Sequence, residues 1–443
     1  MGTVSCKQLA GFLAGLNNKE IAQKMSVLIS SGTVPIGEKL PSVRSLAETL
    51  RVSPATVSSA WSILRRNKVI SGRGRSGVWV CDNRTSPRPR RFEAVGNFGQ
   101  RILADLTFAA PDPELLPDIS EAIRCSAGAP GLNSYVREPI TSSLKSAIQP
   151  RWPYHAEAAM ATNGGFEGVY LAVQALVIPG AVVAVEDPTS ARVLDILDNI
   201  GAHIVPVACD ENGPVPDALK AAMRQKPAAF IYQPRTHSIT GHGLTAERLD
   251  ALSAILRDGE TLIIEDDGVG DISNRPAISM GNFLPSRTIH VCSYSKSLGP
   301  DLRLAVLSGA SSVVEQIQAY RNFGASWTSR ILQNAAAWML NDPGCNATVA
   351  NARQAYAERR NALVVALRRR NVHLDPSDGL CLWIPVPSEQ FAMITLAARG
   401  FAVFPGTRFS IVAGNPHIRV GTGTLTGYVE ELAEAIYLSI NGS

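Results

Sequence analysis

Four short segments hold side chains whose types and spacing could do chemistry together. Ser293-Tyr294-Ser295-Lys296 is followed seven residues later by Arg303. A lysine amine condenses with an aldehyde to give a Schiff base, and nearby Ser and Arg side chains can hold a phosphate. Ile263-Ile264-Glu265-Asp266-Asp267 puts carboxylates at the end of a predicted strand. A carboxylate there can pair with a protonated pyridine nitrogen and keep that ring an electron sink. Thr162-Asn163-Gly164-Gly165-Phe166 precedes a predicted helix, whose first N–H groups and dipole suit a phosphate. The fourth segment, Gln233-Pro234-Arg235-Thr236-His237-Ser238-Ile239-Thr240-Gly241, follows another strand. Taken singly, each also reads as an ordinary turn.

The elements that must position these segments alternate. Apolar runs over 181–186, 203–207, 229–233, 262–265, 289–292 and 304–308 read as strands, with helical stretches such as 190–200 and 246–257 between them. This alternation predicts a mostly parallel sheet covered on both faces. The pattern then changes: a long helix over 347–370, strands over 380–386, 402–404 and 417–420, and a last helix over 426–440. That is a smaller α/β lobe appended to the first. No internal repeat is evident.

Charge separates this region from the N-terminal part. Residues 1–91 hold 15 Lys and Arg against 4 Asp and Glu, a net of +11, whereas the rest holds 27 against 34, a net of −7. A basic head on an acidic body points to one part that meets a polyanion. In the head, Ile21, Met25, Leu28 and Ile29 are spaced as on a helix that Gly32 can end. Ser42 is a predicted N-cap for a second helix with Val43, Leu46, Ala47 and Leu50 inside. Ser53-Pro54 opens a third with Val57, Ala60, Trp61 and Leu64 inside and Thr56, Ser58 and Ser59 outside. Residues 69–71 and 78–80 form a hairpin around a tip of Gly72-Arg73-Gly74-Arg75-Ser76-Gly77. Three helices and a hairpin predict a winged helix-turn-helix. Small hydroxyl residues at the start of its third helix can enter a major groove, and wing arginines can follow phosphates or the minor groove.

Composition narrows the class. The chain has 443 residues, 45% hydrophobic and 18% charged, as in a globular protein. Apolar stretches fall short of the ~20 residues of a membrane helix, and no secretion signal is read, so a cytoplasmic protein that does not enter a membrane is expected. Seven scattered cysteines without a Cys-x-x-Cys argue against a disulfide framework or a structural zinc site; no metal is expected. The stretch over 82–104, rich in Arg and Pro at its start, reads as a basic linker between a head at 1–81 and a body at 105–443.

Two resemblances follow from these residues. Gly37-Glu38-Lys39-Leu40-Pro41-Ser42-Val43-Arg44-Ser45-Leu46-Ala47 with Ser53-Pro54-Ala55-Thr56-Val57 resembles the GntR-type operator-binding domain. That resemblance implies double-stranded DNA contacts from Ser42, Arg44, Ser53 and Thr56 and from a wing containing Arg73, Arg75 and Gly77. A surface salt bridge at Arg44 and ordinary helix solvation at Thr56 are the plain alternatives. The four body segments, in their order and separations, resemble fold-type I aminotransferases that use pyridoxal 5′-phosphate. Head and body together resemble the MocR type of bacterial regulator. This implies a homodimer whose effector is a small amino compound or pyridoxal 5′-phosphate itself.

The body resemblance assigns Lys296 as the cofactor's Schiff-base lysine and Asp266 as partner of the ring nitrogen. It gives Asn163, Gly164, Gly165, Phe166, Ser293 and Arg303 to the phosphate, and Ser238 to the position that faces the phenolic oxygen. Tyr135, in Asn133-Ser134-Tyr135-Val136-Arg137, matches a tyrosine that reaches the neighbouring subunit's phosphate, though a packed tyrosine is an equally plain use. Arg419 matches the arginine that forks a substrate carboxylate, and Arg192 could grip a second acidic group. Three positions depart from the pattern: Ser190 replaces a ring-stacking aromatic, Ser238-Ile239 replaces Asn-Pro, and Gly268 replaces a tyrosine. Losing one stacked ring and two hydrogen bonds costs a few kcal/mol, roughly a hundredfold or more in affinity. His237 or Phe166 could replace a missing group. The expectation is a regulator with little or no net turnover that keeps a loosely held cofactor. The alternatives are a working aminotransferase with a DNA-binding head and a regulator whose body has lost the cofactor.

Overall fold

The computed structural model describes residues 6–66, 69–72, 77–81, 88–93 and 102–442. The chain divides into two compact units, Met1–Arg88 and Pro89–Ser443. In the first, helices α1 (Cys6–Leu13), α2 (Asn18–Ser30), α3 (Val43–Leu50) and α4 (Pro54–Arg66) pack around one apolar core. Strands β1 (Lys39–Leu40), β2 (Ile70–Ser71) and β3 (Val78–Val80) form an antiparallel sheet in the order β1-β3-β2. Three helices were expected and four are present. Leu9 and Leu13 of α1 lie one turn apart, so both reach the core. Eight residues give too few turns for that period to stand out in the sequence. Asn17 caps α2 by accepting from the N–H groups of Lys19 and Glu20, while Glu20 accepts from the Asn17 N–H at 2.8 Å.

Inward-facing residues of the head behave as their spacing predicts. Leu46, Val57, Ala60, Trp61 and Leu64 have no solvent exposure. The wing keeps its shape through glycine: at Gly77, φ is +89° and a Cβ would stand 2.6 Å from Cε of Lys39. The tip residues Arg73 and Arg75 lie outside the described residues.

The second unit starts with a one-turn helix, α5 (Arg90–Glu93), and a short strand, β4 (Ala104–Asp105). Its main sheet comprises β5 (Ala158–Thr162), β6 (Val182–Asp187), β7 (His203–Asp210), β8 (Gly213–Pro214), β9 (Ala229–Tyr232), β10 (Leu262–Asp267), β11 (Thr288–Ser293) and β12 (Ala305–Gly309). The order is β5-β12-β11-β10-β9-β6-β7-β8. The central run from β11 to β7 is parallel, and pairings at both ends are antiparallel. Strand β5 was not expected: its Ala-Ala-Met-Ala-Thr sequence has little β-propensity.

The helices before and between these strands are α6 (Ser120–Ser126), α7 (Ser142–Ile148), α8 (Gly165–Leu176), α9 (Ala191–Asn199), α10 (Pro216–Met223) and α11 (Ala246–Leu256). After the sheet come α12 (Ser311–Arg321), α13 (Arg330–Asn341) and α14 (Pro343–Arg368). Val185, Ile231, Ile264 and Val291 pack with α8 and α9 residues, whereas Phe230, Tyr232 and Ile263 pack with α10 and α11 residues. Successive strand residues point to opposite faces, so covering both faces gives the near-continuous apolar strands seen in the sequence. The small lobe holds β13 (Cys381–Pro385), α15 (Glu389–Ala398), β14 (Phe401–Ala402), β15 (Phe404–Pro405), β16 (His417–Gly421) and α16 (Val429–Asn441). Its sheet runs β13-β16-β15, while β14 leaves to pair with β4. The strand expected over 402–404 is therefore split at Val403.

Trp61→Ala should lower the stability of the head by about 3–5 kcal/mol, the usual cost of emptying a fully buried aromatic site. A urea titration of the full chain, followed by far-UV circular dichroism, reads the shift. An unchanged first transition would mean that α4 does not anchor this core.

Candidate functional site

Strand directions gather the four segments. β5 is antiparallel to β12, which is antiparallel to β11, so β5 runs in the direction of the parallel strands. The loops after β5, β6, β9, β10 and β11 consequently leave from one edge of the sheet, the carboxyl edge where ligands of open α/β sheets bind. Arg303, just before β12, reaches the same edge because β12 runs the opposite way.

Alternation along β10 sorts its three acids. Glu265 accepts from Tyr232 Oη at 2.5 Å, Ser279 Oγ at 2.6 Å and the Met280 N–H at 2.6 Å, and lies 2.7 Å from Nδ1 of His290. Asp267 pairs with Arg235 at 2.8 Å and accepts from the Gly270 N–H. Asp266, between them, is 5% exposed, and its carboxylate accepts no hydrogen bond among the described residues. Desolvation pushes its pKa up to about 7, against the opposing pull of Lys296. The Lys296 amine also makes no hydrogen bond among the described residues. Burial lowers its pKa, countered by Cys381 and Asp266. The structure thus holds a buried carboxylate and a partly buried amine, neither hydrogen-bonded among the described residues.

The glycine loop is shaped to admit a group close to the backbone. Gly164 has φ +99°, and a Cβ there would stand 2.9 Å from Nη2 of Arg303. A Cβ on Gly165 would meet Cβ of Ser293 at 3.1 Å. Gly165 is the first residue of α8, so free N–H groups of that helix face the loop. Arg303 Nη2 donates to the Asn163 carbonyl at 2.9 Å, and the Ser293 hydroxyl lies 3.2 Å from that of Ser295. The Asn163 side chain turns away from this cradle, donating to Glu167 at 2.9 Å. Gly268 is partly buried, and a Cβ there would be 3.4 Å from Oδ1 of Asp266.

His237 does not replace a missing group. Its Nδ1 accepts from the N–H groups of Ile239 and Thr240 at 3.3 and 3.1 Å, leaving Nε2 as the donor to the Pro188 carbonyl at 3.0 Å. Both ring nitrogens are therefore committed to holding two loops together. The Ser238 N–H donates to Gln233 Oε1 at 2.8 Å. Phe166 instead presents its ring to Arg192, whose guanidinium carbon is 4.8 Å from the ring centre.

Arg419 is 8% exposed, donates to the Thr107 carbonyl, and leaves its Nε without a partner among the described residues. It lies over Phe409 at 4.5 Å, and burial, with Arg408 nearby, lowers its pKa to about 10. No carboxylate pairs with it among the described residues, so it can receive an anion. Tyr135 stands apart: it is 89% exposed and edge-on to Trp327 at 6.2 Å. Ser42 caps α3 by accepting from the Ser45 N–H at 3.1 Å, and Arg44 projects exposed from that helix. Ser53 accepts from the Thr56 N–H at 3.1 Å and shares a 2.9 Å hydrogen bond with the Thr56 hydroxyl, leaving Thr56 only partly exposed. Three residues near the site had no role in the sequence reading: Arg235, which neutralises Asp267, and Phe92 and Arg408, which meet beside the site. Arg235 sat in a quoted segment beside the acidic pair; nothing local marked the other two.

Comparison with known proteins places these features. The family described as "Aminotransferase class I and II" matches residues 104–436, and "Bacterial regulatory proteins, gntR family" matches 17–80. The vitamin B6 salvage pathway transcriptional repressor PtsJ of Salmonella typhimurium is 31% identical over 435 residues, covering 96% of this chain and 99% of its own. The HTH-type pyridoxine biosynthesis transcriptional regulator PdxR of Corynebacterium glutamicum is 25% identical, covering 87% and 86%. Among solved structures, the α-aminoadipate aminotransferase LysN of Thermus thermophilus superposes with a TM-score of 0.69 at 20% identity, over 79% of this chain and 98% of its own.

Replacing the unpartnered carboxylate has a pH signature. A folded pKa raised above the unfolded value means that ionised Asp266 costs stability, fully above about pH 7 and not at all below about pH 4. Without added ligand, Asp266→Asn should therefore raise the melting temperature at pH 8, by an amount that shrinks as pH falls towards 4. Scanning calorimetry at a series of pH values checks this; a pH-independent difference would contradict it.

Proposed function

The chain belongs to the gntR-family transcriptional regulators that carry a class I and II aminotransferase domain, the MocR type, and from that premise we propose that it binds operator DNA under the control of a small ligand held in its body. The ligand set is pyridoxal 5′-phosphate plus an amino compound. The observation that carries this reading is the buried Asp266 carboxylate, without a hydrogen bond among the described residues, beside the Lys296 amine. A pyridinium N–H is the partner such a carboxylate lacks, and an aldehyde is the partner of such an amine. In the Gly164–Gly165 cradle the positive φ of Gly164 strains any side chain and a Cβ on Gly165 would crowd Ser293, while helix N–H groups stay free, as a phosphate requires.

When bound, the cofactor supplies an electrophilic aldehyde on an electron-poor ring. Asp266 holds the proton on the ring nitrogen, because an ionised carboxylate in a desolvated setting stabilises a cation strongly. Lys296 offers its amine, which burial keeps closer to the neutral, nucleophilic form. Backbone N–H groups around Gly164–Phe166, with Ser293 and Arg303, hold the phosphate. Asn163 contributes through its backbone, since its side chain is bonded to Glu167. Arg419 receives the effector's carboxylate, Arg192 is available to a second anion, and Ser238 faces the phenolic oxygen. Tyr135 reaches the phosphate of the other subunit in a homodimer. In the head, Ser42, Arg44, Ser53 and Thr56 meet the duplex, with Arg73, Arg75 and Gly77 of the wing beside it. Thr56 meets DNA through whatever its bond to Ser53 leaves free.

Two measurements test the two halves. Borohydride reduction in the presence of the cofactor should add its mass to the peptide containing Lys296, and Lys296→Ala should abolish both the label and the visible absorption band. Unlabelled wild-type protein would overturn the cofactor reading. Gel shifts on the gene's own upstream region should weaken steeply with salt, and Arg44→Ala should cost about 1–3 kcal/mol of binding. Lys296→Ala should keep DNA binding but lose its response to ligand. Binding insensitive to both salt and Arg44 would overturn the DNA reading.

A further inference from the structure

One residue of the connector bridges two arginines that flank the site. The N–H groups of Arg91 and Phe92 donate to Asp195 of α9 at 3.1 and 2.9 Å, and Arg91 pairs with Asp198. Arg408 Nη2 donates to the Phe92 carbonyl at 2.5 Å. The Phe92 ring lies on Arg192, 3.6 Å from the guanidinium carbon, whose plane also lies 4.8 Å from the centre of Phe166 in the glycine loop. Arg192 is half-buried and makes no ion pair among the described residues; the nearby cation Arg303 depresses its pKa further. Burial, and then Arg408, lowers that of Arg419. Phe92 thus rests on one arginine that also touches Phe166 of the glycine loop, and accepts from another, Arg408, which shares the Phe404 ring with Arg419 at 3.9 and 5.5 Å.

We propose that Arg90–Glu93 is a strap across the ligand site, and that an anion held on the glycine loop tightens it through Arg192, which touches Phe166 of that loop and is covered by Phe92. This rests on the ligand-site reading above and adds a route by which that site acts on the connector to the head. The physical argument is a balance. Arg192 is held between two rings by cation–π attraction and desolvated there beside a like charge. A phosphate on Arg303 removes the like charge's effect, so Arg192 settles where Phe92 covers it. By reciprocity, whatever the anion adds to strap docking, the strap adds to anion affinity.

Limited trypsin digestion of the full chain reads the strap, because the Arg91–Phe92 bond can be cut only when its backbone leaves Asp195 and Arg408. Cleavage at that bond, followed by mass spectrometry, should slow by about three- to tenfold with pyridoxal 5′-phosphate and hardly at all with pyridoxal, a span set by one cation–π contact. A small arginine peptide digested alongside corrects for any effect on the protease. Phe92→Ala should lose the protection and bind pyridoxal 5′-phosphate more weakly by the same factor, and Phe92→Tyr should restore both. Asp195→Ala, which removes the acceptor of the Arg91 and Phe92 N–H groups, should still label at Lys296 on borohydride reduction but lose the protection. Equal cleavage with and without the ligand, in protein labelled at Lys296, would overturn the strap, as would protection that survives in Phe92→Ala. If wild-type protein does not label at all, the cofactor reading fails on its own. Inorganic phosphate against chloride at matched ionic strength then decides the strap: slower cleavage in phosphate supports it and equal cleavage overturns it.

Discussion

A buried carboxylate that accepts no hydrogen bond among the described residues is the constraint around which the site is arranged. Asp266 lies at the carboxyl end of a buried parallel strand, where bulk water cannot solvate it and no neighbouring donor bonds to it among the described residues. An unpaired buried carboxylate costs several kcal/mol while it is ionised, and the rise of its pKa to about 7 reflects that cost. Its neighbours differ: Glu265 collects four polar partners and Asp267 has Arg235. The two-residue period of the strand puts Asp266 on the face opposite to the two acids that hold the fold. The antiparallel turn from β11 into β12 then brings Lys296 and Arg303 to the same edge.

The departures at Ser190, Ser238 and Gly268 take on a physical shape in this setting. The neighbourhood that lacks a stacking ring contains Arg192, pressed between the rings of Phe92 and Phe166. Four arginines, Arg192, Arg303, Arg408 and Arg419, lie around the site, and desolvation, with mutual repulsion added to it, lowers the pKa of Arg192 and Arg419. A positive field of this kind favours anionic ligands whether or not those three positions offer hydrogen bonds. His237 could not have filled that gap, since both of its nitrogens tie loops together.

The head is built from local signals that agree with one another. Asn17, Ser42 and Ser53 each cap a helix or its first turn through a side-chain oxygen. The apolar spacings behind those caps converge on Trp61 and Leu46. Agreement between cap, period and core makes a small domain legible. The same capping hydroxyls stand at the helix starts proposed to meet DNA, so the head's stability and its reading surface share residues.

The sequence by itself determined the two-part architecture and the identity of the parallel strands, and it marked the four segments that the sheet gathers at one edge. Caps, hydrophobic periods, charge imbalance and glycine-rich turns are local, and each acts within a few residues along the chain. It did not reveal β5, whose alanines carry no strand preference, or α1, which is too short to show a period. Only the tertiary structure decided which acid of the Glu265–Asp267 run lacks a partner, that His237 is engaged, and that Phe92 meets Arg192 and Arg408. The last of these contacts spans 316 residues of chain. Such pairings depend on how the sheet's edges and the small lobe close on one another, and no local pattern of residue types encodes that geometry.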